Sequence, residues 1–153
     1  MTGMASVHRE ILIEADPQHV WSAVRAVGEE HRLYAGVVVD SHRDGDHRVV
    51  TFASGAVVRE LIVTVDDDCR RLVYTVVESP FDAVHHQASL QVAPAGDGRA
   101  RLVWITDVVP DELAAPIGAV MDLGIEAVRR TLTAPRDAGP ARPLTPSGRT
   151  ARP

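Results

Sequence analysis

At 153 residues, 45% of them apolar, the chain has the size and composition of one globular domain rather than of a disordered segment. Its formal net charge of −5 hides an asymmetry: all 16 basic residues are arginine, and four of them (Arg136, Arg142, Arg149, Arg152) follow residue 133. The preceding body is therefore strongly acidic and carries no basic stripe, which excludes a nucleic-acid platform; no run approaches the ~18 apolar residues of a spanning helix, and a single cysteine excludes an internal disulfide.

The opening "MTGMASVHRE" has no basic start followed by an apolar stretch. Together with the lone Cys69 this predicts a cytoplasmic protein with no stable membrane insertion. "VHREILIEA" (7–15) reads as a first strand. "DPQHVWSAVRAV" opens a helix, with Asp16 as N-cap, Pro17 at the first helical position, and Val20, Trp21, Val24 and Val27 on one face. "EEHRLYA" suits a second short helix ahead of Gly36.

Six strands follow, separated by turn signals. "GVVVDSHR" and "HRVVTFA" flank Asp44-Gly45, a hairpin signal. "AVVRELIVTV", "RRLVYTVVE", "AVHHQASLQV" and "RARLVWITDVV" come next, divided by "DDDC", Ser79-Pro80 and "APAGDG". After Pro110, "DELAAPIGAVMDLGIEAVRRTLT" reads as a long amphipathic helix with Asp111 as N-cap. Leu113, Ile117, Val120, Met121, Val128 and Leu132 share its apolar face, and Gly118 and Gly124 mark either gaps or close packing. Residues 134–153 contain five prolines and almost no large apolar side chain, so they read as a disordered tail after a single domain spanning 1–133. An antiparallel sheet with one long amphipathic helix to cover it predicts an α+β fold.

That order, with the words "DPQHVWSAV", "VVRELIVTVDDDCRRLVYTVVESPF", "HHQASLQV" and "RLVWITDVVPDE" and the C-terminal helix, resembles the SRPBCC superfamily, the START-like or helix-grip fold. The likeness covers residues 7 to about 133 and is greatest to its polyketide cyclase/dehydrase and lipid-transport-like branch. It implies a curved seven-stranded antiparallel sheet wrapped around the long C-terminal helix, with two short helices after the first strand. It also implies a ligand cavity between sheet and helix, which would place Ile117 and Met121 against the ligand.

Strand alternation supplies candidates for the cavity wall. In "AVHHQASLQV" the set Val84, His86, Ala88, Leu90 and Val92 is apolar, so His86 and Ala88 turn inward and His85 turns to solvent. His86 is either a ligand contact or a core histidine satisfied by a neighbour. On the preceding strand both faces carry apolar residues; the resemblance favours Tyr74 and Val76 inward, with Glu78 near the mouth. "VVRELIVTV" presents a conflict. Alternation groups Arg59 with Val57, Leu61, Val63 and Val65, whereas the resemblance puts Glu60 in the cavity, and a bulge would reconcile the two. A carboxylate there needs a partner, for which His86 and Tyr74 are candidates. Trp104 faces inward with Leu102 and Thr106, as core or as ligand platform.

No phosphate loop, nucleophile elbow or metal spacing appears, and no cofactor is expected. His42, Asp44, Asp46 and His47 surround a solvated turn, as do Asp66–Asp68, and the acidic setting of Cys69 makes it a poor nucleophile. The expected function is binding of a hydrophobic small molecule (a lipid, isoprenoid or polyketide-like compound) in the cavity. The alternative is a cyclase or dehydratase in which Glu60 and His86 move protons. The binding residues expected are Glu60, Tyr74, Val76, His86, Ala88, Trp104, Ile117 and Met121.

Overall fold

The computed structural model describes residues 3–138. Seven strands, β1 (Ala5–Ile13), β2 (Val38–Asp44), β3 (His47–Phe52), β4 (Val57–Asp66), β5 (Arg71–Glu78), β6 (His85–Gly96) and β7 (Arg99–Val109), form one antiparallel sheet. Its order is β1-β7-β6-β5-β4-β3-β2, so a meander of six strands is completed by β1 pairing with β7. Between β1 and β2 lie α1 (Pro17–Val24) and α2 (Glu30–Leu33). A 3-10 turn, Asp111–Leu113, leads into α3 (Ala114–Ala138). This is the helix-grip arrangement expected from the sequence.

Local chemistry explains the joints. Asp16 caps α1 by accepting from the Gln18 N–H at 3.1 Å, and Pro17 occupies the first turn. Gly28 sits at φ +95°, a conformation that a side chain would strain, and so turns the chain after α1. Asp111 does not cap the long helix. It opens the 3-10 turn instead, and α3 starts three residues later, with Pro116 in its first turn, where a missing N–H leaves no intrahelical bond unmade. The "DDDC" turn is more than solvated: Asp67 accepts from the Trp21 indole at 2.8 Å and from Arg25 Nε at 2.7 Å, tying α1 to the β4–β5 turn. α3 extends to Ala138, five residues past its expected end, and the remainder of the expected tail lies outside the described residues.

The space between sheet and α3 is filled at one end and hollow at the other. Leu72, Leu90 and Leu102 from the sheet, Trp21 from α1 and Val128 from α3 are almost completely buried in the filled end. The N-terminal half of α3, with Ile117, Val120, Met121 and Gly124, borders the hollow. No described helix is long and apolar enough to cross a membrane.

Candidate functional site

The hollow is a cavity of about 240 Å³, walled by the concave faces of β3 to β7, by α2 and the loop after it, and by α3. Most of the wall is apolar, and on β3, β6 and β7 this part follows from alternation along the strand. One polar cluster interrupts it. Arg48 on β3 donates from Nε to Glu60 Oε1 on β4 at 2.6 Å and from Nη1 to Glu30 Oε2 on α2 at 2.8 Å. All three residues are buried. The guanidinium also lies over the Tyr74 ring, 4.6 Å from its centroid.

Glu30 is fixed from behind. Its carboxylate accepts from the Gly28 N–H at 3.1 Å, and the Ser41 hydroxyl donates to the Gly28 carbonyl at 3.0 Å while accepting from the His31 N–H. The loop between α1 and α2 therefore aims Glu30 at Arg48, which in turn orients Glu60. Burial alone would weaken the Arg48 charge, but the two carboxylates outweigh it and hold the guanidinium protonated. Burial raises the Glu60 carboxyl above its ordinary value, against the lowering pull of Arg48, and the Glu30 charge pushes it further up. Tyr34 and Tyr74 are likewise raised, chiefly by burial, and stay neutral.

Two buried polar atoms of the wall, His86 Nδ1 and Trp104 Nε1, have no hydrogen-bond partner among the described residues. Tyr74 lies close enough to feel the Trp104 indole, but the pair does not reach hydrogen-bonding geometry. Burial first, and the neighbouring His85 second, push His86 down to about 4, so the ring is neutral at pH 7. Trp104 packs against Tyr34 with ring centroids 5.7 Å apart. It also fills the space over Gly124, where a Cβ would lie 3.0 Å from the indole. Gly118, by contrast, abuts Arg9 and Val7 of β1. Both glycines thus mark close packing, Gly124 at the cavity edge. Among the described residues no three His, Cys, Asp or Glu side chains gather as a metal site.

The sequence of residues 4–135 matches the family model described as "Polyketide cyclase / dehydrase and lipid transport". The chain belongs to that family. No curated protein matches it. Among solved structures, it is similar to an uncharacterised protein from Bacillus thuringiensis (TM-score 0.77, 17% identity, covering 84% of this chain and 98% of that one). It is also similar to a protein from Thermobifida fusca (TM-score 0.70, 27% identity, 82% and 91% covered). A third likeness is to norcoclaurine synthase from Thalictrum flavum (TM-score 0.67, 17% identity, 84% and 93% covered).

Within this polyketide cyclase / dehydrase and lipid transport fold, seven of the expected residues line the cavity: Glu60, Tyr74, Val76, His86, Trp104, Ile117 and Met121. Ala88 does not. It is buried at the boundary with the filled end, where its strand neighbours Tyr74 and Thr106 carry the larger side chains that reach the hollow. Glu78 is exposed and absent from the wall, which passes through Ser79 and Pro80 instead. Val84 precedes β6 and is 83% exposed, so it shares no face with His86. His85 faces solvent.

The conflict in "VVRELIVTV" is resolved by geometry. A register shift opposite Val77 places Glu60 against Val76 and Arg59 against Glu78. Glu60 turns inward; Arg59 turns out and pairs with Asp44 at 2.9 Å. The valines grouped with Arg59 are half exposed on the convex face, so the more apolar set of this strand is the outer one. The partner of Glu60 is Arg48 rather than His86 or Tyr74. Sequence reasoning missed Arg48, Glu30 and Tyr34. For Arg48 a signal existed: it alternates with Val50 and Phe52, which makes it a charge on the apolar face of a short strand.

Proposed function

We propose that the protein binds a small hydrophobic molecule between its sheet and α3. A single observation supports this reading most: an apolar cavity left open at one end of an otherwise well-packed core, with a charged cluster buried in its wall. Such a void gives up packing that neighbouring side chains could supply. Retaining it fits a requirement for an occupant.

A neutral apolar dye, N-phenyl-1-naphthylamine, tests the reading. It should gain fluorescence with the native protein, and Met121→Trp, which fills the cavity from α3, should abolish the gain while leaving a cooperative melt. Undiminished dye binding by a folded Met121→Trp variant would place the site elsewhere. Native mass spectrometry of gently purified protein would then identify the chemical class of any retained ligand.

A second reading, a cyclase or dehydratase, has one observation in its favour. Glu60, a carboxyl biased toward protonation, and the unpartnered ring of His86 line the same cavity. It predicts that Glu60→Gln retains dye binding but leaves the co-purified compound unconverted, where native protein turns it over.

A further inference from the structure

The wall of the cavity contains three formally charged residues, and they do not balance: Glu30 and Glu60 face the single guanidinium of Arg48. His86, neutral for the reason given above, adds no positive charge. An excess negative charge out of water is costly unless a proton or another cation compensates it. The one positive charge of Arg48 is already shared between both carboxylates, and its guanidinium lies over the Tyr74 ring.

The aromatic residues point to the same chemistry. The whole chain has six, two each of Trp, Tyr and Phe. Five of them, Tyr34, Phe52, Tyr74, Phe81 and Trp104, line this one cavity. The Tyr74 ring already carries a cation, Arg48, on its face. Aromatic faces next to carboxylates attract organic cations, and they do so most when water is excluded.

We propose that this cavity selects an organic cation: a protonated amine or quaternary ammonium on a small apolar body, its charge set against Glu60 and the aromatic wall. The proposal rests on the cavity-binding reading and adds the sign of the ligand's charge. A carboxylate or phosphate head would meet a wall whose one cation among the described residues is already shared between two carboxylates. A neutral head would leave the second carboxylate to be balanced by a proton on Glu60.

Four compounds with one apolar body separate these cases: 3-phenylpropylammonium, 3-phenylpropyltrimethylammonium, 3-phenylpropan-1-ol and 3-phenylpropanoate. Each is titrated into the full chain while the Trp104 indole N–H is followed by NMR, with Trp104→Phe assigning that resonance. Both ammonium compounds should bind about tenfold or more tighter than the alcohol, and the carboxylate weakest. In Glu60→Gln the advantage of ammonium over alcohol should shrink to about threefold or less. Should that variant fail to fold, the order of the four compounds on the native protein decides alone. An alcohol equal to the ammonium compounds, or a carboxylate that binds best, would overturn the cation proposal and leave cavity binding standing. If none of the four moves the Trp104 resonance and the neutral dye fails as well, cavity binding falls and the cation proposal falls with it. If the dye binds but none of the four does, the cation proposal alone is overturned.

Discussion

Removing the Arg48 guanidinium would leave the Glu30 and Glu60 carboxylates facing one cavity with no cation between them. Arg48→Met should therefore cost on the order of 3–5 kcal/mol in a urea melt at pH 7, the usual penalty for breaking a buried ion pair from one side. The loss should ease on acidification. Glu60 is raised in the folded state, so its favourable contribution is fully present below the unfolded carboxyl value and is lost as pH rises through the folded one. Without Arg48 that window widens upward. A variant equally destabilised at pH 5 and pH 8 would refute this account of the cluster. His86 has the opposite sign. Its folded value of about 4 lies below the ordinary 6.5, so the unfolded chain takes up the proton first and stability falls as pH drops from 6.5 toward 4. Ring NMR should find His86 neutral at pH 6 and titrating near 4. A His86 ring that titrates at its ordinary value would mean that the cavity is wetter than its wall implies.

The two glycines of α3 make a controlled comparison at the level of the element. A methyl at Gly124 would press on the Trp104 ring at 3.0 Å and 3.2 Å, and on Tyr34 at 3.5 Å. Those rings pack against one another, tilted by 38°, and have little room to retreat. Gly124→Ala should cost about 1–3 kcal/mol through overpacking, despite the better helix propensity of alanine, and should weaken dye binding. A methyl at Gly118 would meet the tip of the Arg9 side chain at 2.8 Å, a flexible group that can swing away from its Asp122 partner. There the helix preference of about 1 kcal/mol is set against a surface ion pair worth little. Gly118→Ala should leave the melting temperature unchanged or raise it slightly. Equal destabilisation by the two substitutions would contradict the assignment of Gly124, and not Gly118, to the cavity edge.

For the molecule as a whole, the organising feature is the division of one sheet–helix sandwich into a filled and a hollow end. α1 closes the filled end, pinned through Trp21 to the turn at Asp67, while α2 and its loop deliver Glu30 and Tyr34 to the hollow one. Residues 139–153 lie outside the described residues, and Leu144 is the one large apolar residue in their sequence. Deleting them should shift the melting temperature by no more than ordinary surface changes do, about 0.5 kcal/mol in stability. A larger loss would show that the segment docks on the body and belongs to the domain.

Elements and most of their faces could be read from local signals. Asp16-Pro17 opens α1, Asp44-Gly45 lies at the turn joining β2 and β3, and alternation along β6 turns His86 inward and His85 outward. These features depend on residues a few positions apart, where spacing alone decides which side chains share a face. The site was legible only in part, because its charges come from three elements far apart in sequence. Glu60 shares the inner face of β4 with Val58, but the apolar pattern argued against it because the outer face of β4 is the more apolar one. Ala88 and His86 share a strand face, yet only His86 reaches the hollow, since the boundary between filled and open core is set by what α3 and the neighbouring strands place opposite. Local sequence thus determined where strands and helices form and which way most of them face. The pairing of Arg48 with Glu30 and Glu60 was decided by tertiary packing, because a charge is stabilised by its neighbours in space, which spacing along the chain does not reveal.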